Sequence, residues 1–481
     1  MNPAQNNTAK SLQQQSQLAR RDFLLNSAFG FGAIALGDLL SQDASAANIR
    51  PANPLAPRKP DFVPKAKNVI FLFMQGGPSH LETFDPKPQM TKYDGQLLPA
   101  ELRDFDLSQT NTADAKVMAP IFPFAKHGQS GIEISSLFPQ LSQHADKLAI
   151  IRSCYHELFI HASALNIMDS GSPLLGHPSV GSWVTYGLGC ESDNLPSYIA
   201  MTDKYFRNGA ATYSSGFLPA VYQGTYLRTQ GAPIQNLKRP AGLEATQQRH
   251  LLDQISQWNQ RHRDQRPGDS RLDARIANYE LAYRMQSAAP ELVDLSQETQ
   301  SILDLYGTDD DQTGPFGKMC LLSRRMVERG VRYVHLIDAD WDAHADCRNN
   351  HQVRANCIDR PIAALLTDLE QRGLLDSTLV VWGGEFGRTP IMQANQGRDH
   401  HPYGFSIWMA GGGVRGGKTL GATDDFGFKA VENRFHANDL HATMLSLLGL
   451  DHERLTYLFE GRDRRLTDVG GYSELSRQLT A

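Results

Sequence analysis

Apolar residues along this chain fall into short runs separated by stretches with helical spacing. Residues 68–74 read Asn-Val-Ile-Phe-Leu-Phe-Met, the nearly continuous apolar pattern of a strand buried on both faces of a parallel sheet. Residues 147–151, 197–201, 331–337, 378–382 and 406–410 read the same way. Between them the period changes. In 357–373, Ile358, Ile362, Leu365, Leu366 and Leu369 share one helical face, and Gly373 follows as a stop. Residues 316–330 and 439–449 behave alike. Strand, helix and strand in this rhythm predict βαβ units with right-handed crossovers. The expected fold class is α/β, with a central, mostly parallel sheet between helices.

The stretch 241–305 departs from the rhythm. It is polar, with Leu251, Ile255 and Trp258 at helical spacing, and predicts a helical insertion whose charges form a solvated face. Two local patterns are set aside. His156 and His161 resemble a zinc-protease helix but stand five residues apart, about 140° around a helix rather than on one face. Gly411, Gly413 and Gly416 match a dinucleotide fingerprint, yet Gly417-Lys418-Thr419-Leu420-Gly421 does not open a helix after them. That stretch reads as a loop.

The N-terminus reads as a targeting segment. Arg20-Arg21-Asp22-Phe23-Leu24-Leu25 precedes a weakly apolar, Gly-containing stretch, and Ala44-Ser45-Ala46 offers small-x-small cleavage. Asp38 and the glycines interrupt the run that a membrane span of about 20 apolar residues would need. The expectation is a twin-arginine signal over 1–46, hence export to the periplasm or beyond with the twin-arginine translocase as partner. Residues 47–66, with their prolines, predict an extended linker, and 67–465 the main domain.

Composition sharpens this picture mainly by exclusion. A chain of 481 residues, 41% hydrophobic, can bury a sizeable core. A net charge of -5 gives no electrostatic case for nucleic acid or an anionic membrane. Five cysteines (Cys154, Cys190, Cys320, Cys347 and Cys357) without a CxxC fit neither a zinc ribbon nor a disulfide framework. A Cys347–Cys357 bridge and buried free thiols both stand open.

Ligands of open α/β sheets bind beyond the carboxyl ends of the strands, so the strand-end residues carry the candidate chemistry. After 68–74 come Gln75-Gly76-Gly77-Pro78-Ser79-His80; the glycines permit close backbone approach, while a tight turn with an N-cap serine explains the loop equally well. After 331–337 come Asp338, Asp340, Asp342, His344 and Asp346, with His351 beyond. So many carboxylates beside an imidazole are costly without a cation, and divalent metals take such O/N donors; a solvated acidic loop is the plainer alternative. After 378–382, Glu385 stands between glycines, and Arg388 either grips an anion or neutralises Glu385. Arg398-Asp399-His400-His401 then precede 406–410.

Taken together, NVIFLFMQGGPSHLETFDPKP, WDAH, LVVWGGEFGRTP and GRDHHPYGFSIWMAGGGVRGG resemble the secreted bacterial "domain of unknown function 1501" proteins over about residues 65–460. That family is similar to the alkaline phosphatase superfamily, which includes sulfatases and phosphoglycerate mutases. The resemblance implies a metal site at the strand ends. Asp342 (or Asp340), His344 and His400 match the superfamily's first metal site. At its second, Gln75, Glu385-Phe386 and the segment Ile160-His161-Ala162-Ser163 stand in the matching positions, and Phe386 is no ligand. The sulfatase nucleophile motif is absent, with His161 about where the nucleophile should be.

The expectation is therefore a divalent metal (zinc, calcium, magnesium or manganese) held by Asp342, His344, Glu385, Asp399 and His400. Arg388 would grip the anion, His80 or His161 would serve as acid and base, and Ser79, Ser163 or water would attack. The implied substrate is a sulfate or phosphate ester, small or on a polysaccharide. Two rivals stay open: a non-catalytic exported binding or surface protein that keeps a metal for structure, and a different metal-assisted reaction of lyase or isomerase type.

Overall fold

The computed structural model describes residues 53–481 apart from 104–113, 230, 232, 236 and 267–269. The expected signal segment lies outside the described residues. Nine strands form the central sheet: β1 (Asn68–Met74), β2 (Ala149–Tyr155), β3 (Tyr198–Thr202), β4 (Thr225–Tyr226), β5 (Tyr333–Asp338), β6 (Thr378–Gly383), β7 (Phe405–Ala410), β8 (Lys418–Leu420) and β9 (Phe435–His436). Their order is β8-β2-β7-β6-β1-β5-β3-β4, and β9 also pairs with β2. The most apolar run, β1, lies in the middle, paired in parallel with β5 and β6 and buried at every residue.

Alternation along β1 divides the core. Ile70, Leu72 and Met74 join one apolar cluster, while Val69, Phe71 and Phe73 join another on the opposite face. The first face is covered by α5 (Gly314–Glu328) and α6 (Cys347–Gln371), through Met319, Leu322, Ile358 and Leu365. The second is covered by α1 (His161–Ser170), α2 (Val180–Leu188) and α7 (Ala437–Leu447), through Leu165, Trp183, Leu440 and Met444. Two faces of apolar side chains require a helical layer on each side. Within 241–305 the chain forms α3 (Ala245–Asp264) and α4 (Ser270–Val293). Among the described residues, no helix is long and apolar enough to cross a membrane.

One strand runs against the rest. β7 is antiparallel to both β6 and β2. The segment that precedes it therefore arrives at the edge where the parallel strands end, and this carries Asp399 and His400 to the loops after β1, β2, β5 and β6.

Three expectations change. The Gly-rich stretch after β7 is not all loop: Lys418–Leu420 forms an edge strand on β2, because the unpaired edge of β2 offers it a ladder. The described part of the Pro-rich stretch, from residue 53, contains turns and bends and lies along the domain. Lys65 and Ala66 donate to the Leu447 carbonyl at the end of α7, and Arg58 N to the Leu188 carbonyl at the end of α2. Finally, all five cysteines are free. Cys347 and Cys357 lie on the same helix, α6, about 15 Å apart at 1.5 Å per residue, well beyond disulfide reach.

Candidate metal centre

Three imidazoles and one carboxylate converge at this sheet edge. His161, Asp342, His344 and His400 each offer a donor atom, all within 4.8 Å of one another. Asp342 is the hub: Oδ2 lies 3.0 Å from His161 Nε2, and Oδ1 lies 3.0 Å from His344 Nε2 and 3.2 Å from His400 Nε2. The two facing imidazole atoms, His344 Nε2 and His400 Nε2, are 3.0 Å apart. At that separation they cannot both carry a hydrogen.

The other nitrogen of each ring decides the orientation. His161 Nδ1 lies 2.7 Å from Glu385 Oε1, His344 Nδ1 lies 2.7 Å from Gln393 Oε1, and His400 Nδ1 lies 2.9 Å from the Phe159 carbonyl oxygen. Each partner is an acceptor, so each Nδ1 carries a hydrogen and Nε2 is the nitrogen that faces inward, its lone pair free for an ion once it has shed any proton. Phe386 walls the back of the site, its ring centroid 4.9 Å from His161 and 4.6 Å from His400.

The backbone allows this convergence at one special position. Gly76 has φ +117°, and a Cβ there would meet Asp342 N at 2.6 Å and Trp341 N at 2.7 Å. Only glycine lets the β1 loop pass so close to the Asp342 loop. Gly76 N in turn donates to Oε1 and Oε2 of Glu385, at 2.9 and 3.1 Å.

Electrostatics follow the same geometry. Burial alone would raise the Asp342 carboxyl, but the close approach of the His161, His344 and His400 imidazoles and the Arg388 charge hold it well below the usual carboxylate range. Burial lowers His161, yet its bonds to Asp342 and Glu385 outweigh this and raise it. His344 is raised, chiefly by Asp342. His400 is lowered, chiefly by burial. A proton and a cation thus compete for the same inward lone pairs.

The donor set fits a borderline divalent ion. A tetrahedron with bonds of about 2.0–2.1 Å has edges of about 3.4 Å, which falls between the 3.0 Å of the tightest donor pairs and the 4.8 Å that bounds the set.

The remaining candidates take other places. Glu385 is fully buried and stands behind His161 rather than among the inward donors. Asp399 Oδ1 is 3.8 Å from His344 Nδ1, also on the outer side. Asp340 points away, to Lys204 Nζ at 2.6 Å and the Tyr205 hydroxyl at 2.8 Å. Arg388 is fully buried; it donates to the carbonyls of Gly76, Gly77 and Arg398 and, at 2.7 Å, to Asp342 Oδ1. It therefore presents no open fork to an anion. Ser79 and His80 do not join the cluster. The Ser79 hydroxyl is buried without a partner among the described residues. His80 Nε2 lies 2.8 Å from the Gly427 carbonyl oxygen, and burial pushes its pKa down to about 4. Ser163 Oγ donates to the Ile160 carbonyl at 3.1 Å.

Sequence reading missed Gln393 and Arg207. Arg207 Nη2 reaches Asp342 Oδ2 at 3.2 Å, and the strand-end reading applied after 197–201 would have included it. Gln393 lies in an irregular loop with no sequence signal.

These features define an α/β protein with a candidate three-histidine, one-aspartate metal centre at its sheet edge. The chain belongs to the DUF1501 family, a family of unknown function, which matches residues 66–475. Among curated proteins, none matches the chain. Solved structures resemble it distantly. An alkaline phosphatase from the Antarctic bacterium TAB5 is 10% identical, with 81% of this chain and 99% of that one covered and a TM-score of 0.34. A sulfatase from Pseudoalteromonas sp. is 12% identical, with 92% and 76% covered and a TM-score of 0.34. A lipoteichoic acid synthase from Listeria monocytogenes is 9% identical, with 84% and 78% covered and a TM-score of 0.33. The fold class rests on the sheet order given above and not on these overlaps.

Proposed function

We propose that this chain is an exported, metal-dependent hydrolase of phosphate or sulfate esters. The observation that carries the reading is the inward convergence of three Nε2 atoms on Asp342, each imidazole fixed by an acceptor at Nδ1. A nitrogen-rich set of this kind favours zinc or a similar borderline ion over calcium or magnesium, which prefer oxygen. His161, Asp342, His344 and His400 would hold the ion. When bound, the ion supplies Lewis acidity toward an ester oxygen and toward water.

The protein's own groups do the rest. Glu385 fixes the tautomer and direction of His161, and Arg388 offsets the charge of Asp342. With Ser79 buried, Ser163 Oγ bonded to the Ile160 carbonyl and His161 engaged at both nitrogens, attack would fall to water. The centre opens toward solvent on one side, where Asp342 and His344 retain 22% and 40% of their side-chain exposure. Export rests on the arginine pair and small-residue cleavage site at the N-terminus. The ester class rests on the motif resemblance and on this cationic, metal-ready opening.

The donor count favours a second reading as well. Four protein ligands also make a closed tetrahedral site of the structural kind, in which the ion holds the loops and nothing turns over. Metal analysis of the purified mature chain, combined with turnover of aryl phosphates and aryl sulfates, separates the two. Hydrolysis that disappears on chelation and in His400→Ala supports the hydrolase. Full metal occupancy without turnover of either ester class, and a melting temperature that falls on chelation, supports the structural site.

A further inference from the structure

The candidate centre lacks an evident grip for the anionic half of an ester, because Arg388 is buried and fully committed. Two arginines contact Asp342, and they do so from different sides. Arg388 reaches Oδ1 from within the protein, with its side chain 0% exposed; Arg207 reaches Oδ2 at 3.2 Å with its side chain 29% exposed. We infer that Arg207 is the residue that binds the tetrahedral oxyanion of the substrate, a phosphoryl or sulfuryl group. This inference rests on the hydrolase reading.

Three observations support it. First, the backbone of Arg207 is anchored from two sides. Its N–H donates to Gln75 Oε1 at 2.8 Å, and the next residue, Asn208, donates through Nδ2 to the Ala162 carbonyl at 2.8 Å and to Asn166 Oδ1 at 2.9 Å. The guanidinium is thus carried by a fixed loop spanning the end of β1 and the start of α1, next to His161. Gln75, which stands where a metal ligand was expected, instead holds the arginine loop.

Second, the guanidinium of Arg207 lies beside the donor set on its solvent side, 3.2 Å from Asp342 Oδ2 with its side chain 29% exposed. An ion held by the inward donors would draw on the Asp342 carboxylate, and Arg207 would then be free to pair with an anion at the opening. A planar guanidinium meets two oxygens of such a group at once. Third, the other cation of this loop is committed elsewhere: Lys204 Nζ is paired with Asp340 Oδ2 at 2.6 Å. The chemical step gains no new bond from this; Arg207 supplies binding and charge compensation only.

The test uses the full mature chain loaded with zinc. Metal content is measured first, then calorimetric binding of inorganic phosphate and, separately, inorganic sulfate to wild type, Arg207→Ala and Arg207→Lys. The expected result is unchanged metal stoichiometry, with binding of the preferred anion weakened about 10-fold to 100-fold in Arg207→Ala and partly restored in Arg207→Lys. Which anion binds wild type identifies the ester class. If Arg207→Ala binds that anion as tightly as wild type, or loses its metal along with the anion, the inference is overturned while the hydrolase reading stands. If metal-loaded wild type turns over esters but binds neither anion, the inference alone fails. If it neither turns over esters nor binds either anion, both fail.

Discussion

Oε1 of Glu385 lies 2.7 Å from Nδ1 of His161, and this contact decides which nitrogen of the imidazole faces Asp342. Glu385 is itself locked by the Gly76 N–H, which meets both of its oxygens. A carboxylate that sequence position places among the ligands thus acts one step behind them. Such outer partners orient a ligand and raise its basicity.

Replacing Glu385 with Gln keeps the shape and one acceptor but removes the charge. Affinity for zinc should fall by about 10-fold to 100-fold with little change in folding. Competition with a chromogenic chelator measures this, and an unchanged affinity would remove Glu385 from the centre's support.

Gly76→Ala places a methyl group 2.6 Å from Asp342 N at a φ of +117°. The Asp342 loop must then move, and the ligand hub moves with it. Zinc binding should drop sharply while far-UV circular dichroism stays native. Wild-type affinity in this variant would show that the loop has slack.

Arg388→Met leaves three carbonyl groups and Asp342 without their buried donor. Breaking a buried charge pair from one side costs about 3 kcal/mol or more, so denaturant unfolding should show a large loss. The exposed Arg477–Glu474 pair is the control, and Arg477→Met should change stability far less.

Acid should destabilise the fold early. Burial pushes His80, His156 and His441 down to about 4, and His335, His351 and His401 down to about 3. Their folded values lie below the unfolded value of about 6.5, so the unfolded chain takes up protons first. Their contribution is complete above pH 6.5 and is lost as pH falls toward 4. Asp338 and Asp359, pushed up to about 7 and about 6 by burial, and Asp169 and Asp203, also raised by burial, act with the opposite sign, but they are four carboxyls against six imidazoles. Melting temperature measured from pH 7.5 to 4.5 should decline throughout the lower half of that range. A flat profile would contradict the buried-neutral assignment.

Thiol chemistry offers a direct check on the cysteines. With no disulfide present, all five should react with a thiol reagent after unfolding without reductant. In the native protein only the partly exposed Cys357 should react readily, since burial raises the Cys347 thiol to about 12. Fewer than five thiols in the unfolded chain would reveal a bridge.

Much of this architecture was legible in local sequence. Residues 68–74 were read as a buried strand and are one, at the same bounds, because an all-apolar run of that length admits few other solutions. Helix α6 begins at Cys347, ten residues before the apolar periodicity starts. Its first turns are polar and are held by the Asp346 cap, which accepts from Asn349 N at 3.3 Å, so periodicity alone could not find them. Asp342, His344 and His400 were singled out because they follow or precede apolar runs, and strand-end position is written in the chain.

What the chain could not specify locally was direction and depth. Whether His161 or Glu385 faces the centre depends on the Gly76 N–H, 309 residues from Glu385 in sequence. Whether His400 arrives at all depends on β7 running against its neighbours. Whether Arg388 or Arg207 meets solvent depends on how many carbonyls surround each. Sequence by itself determined which residues sit at the sheet edge, since burial of an apolar run is a short-range property. Tertiary structure decided which of them turn inward, since an imidazole or a carboxylate points wherever distant hydrogen-bond partners complete its valence.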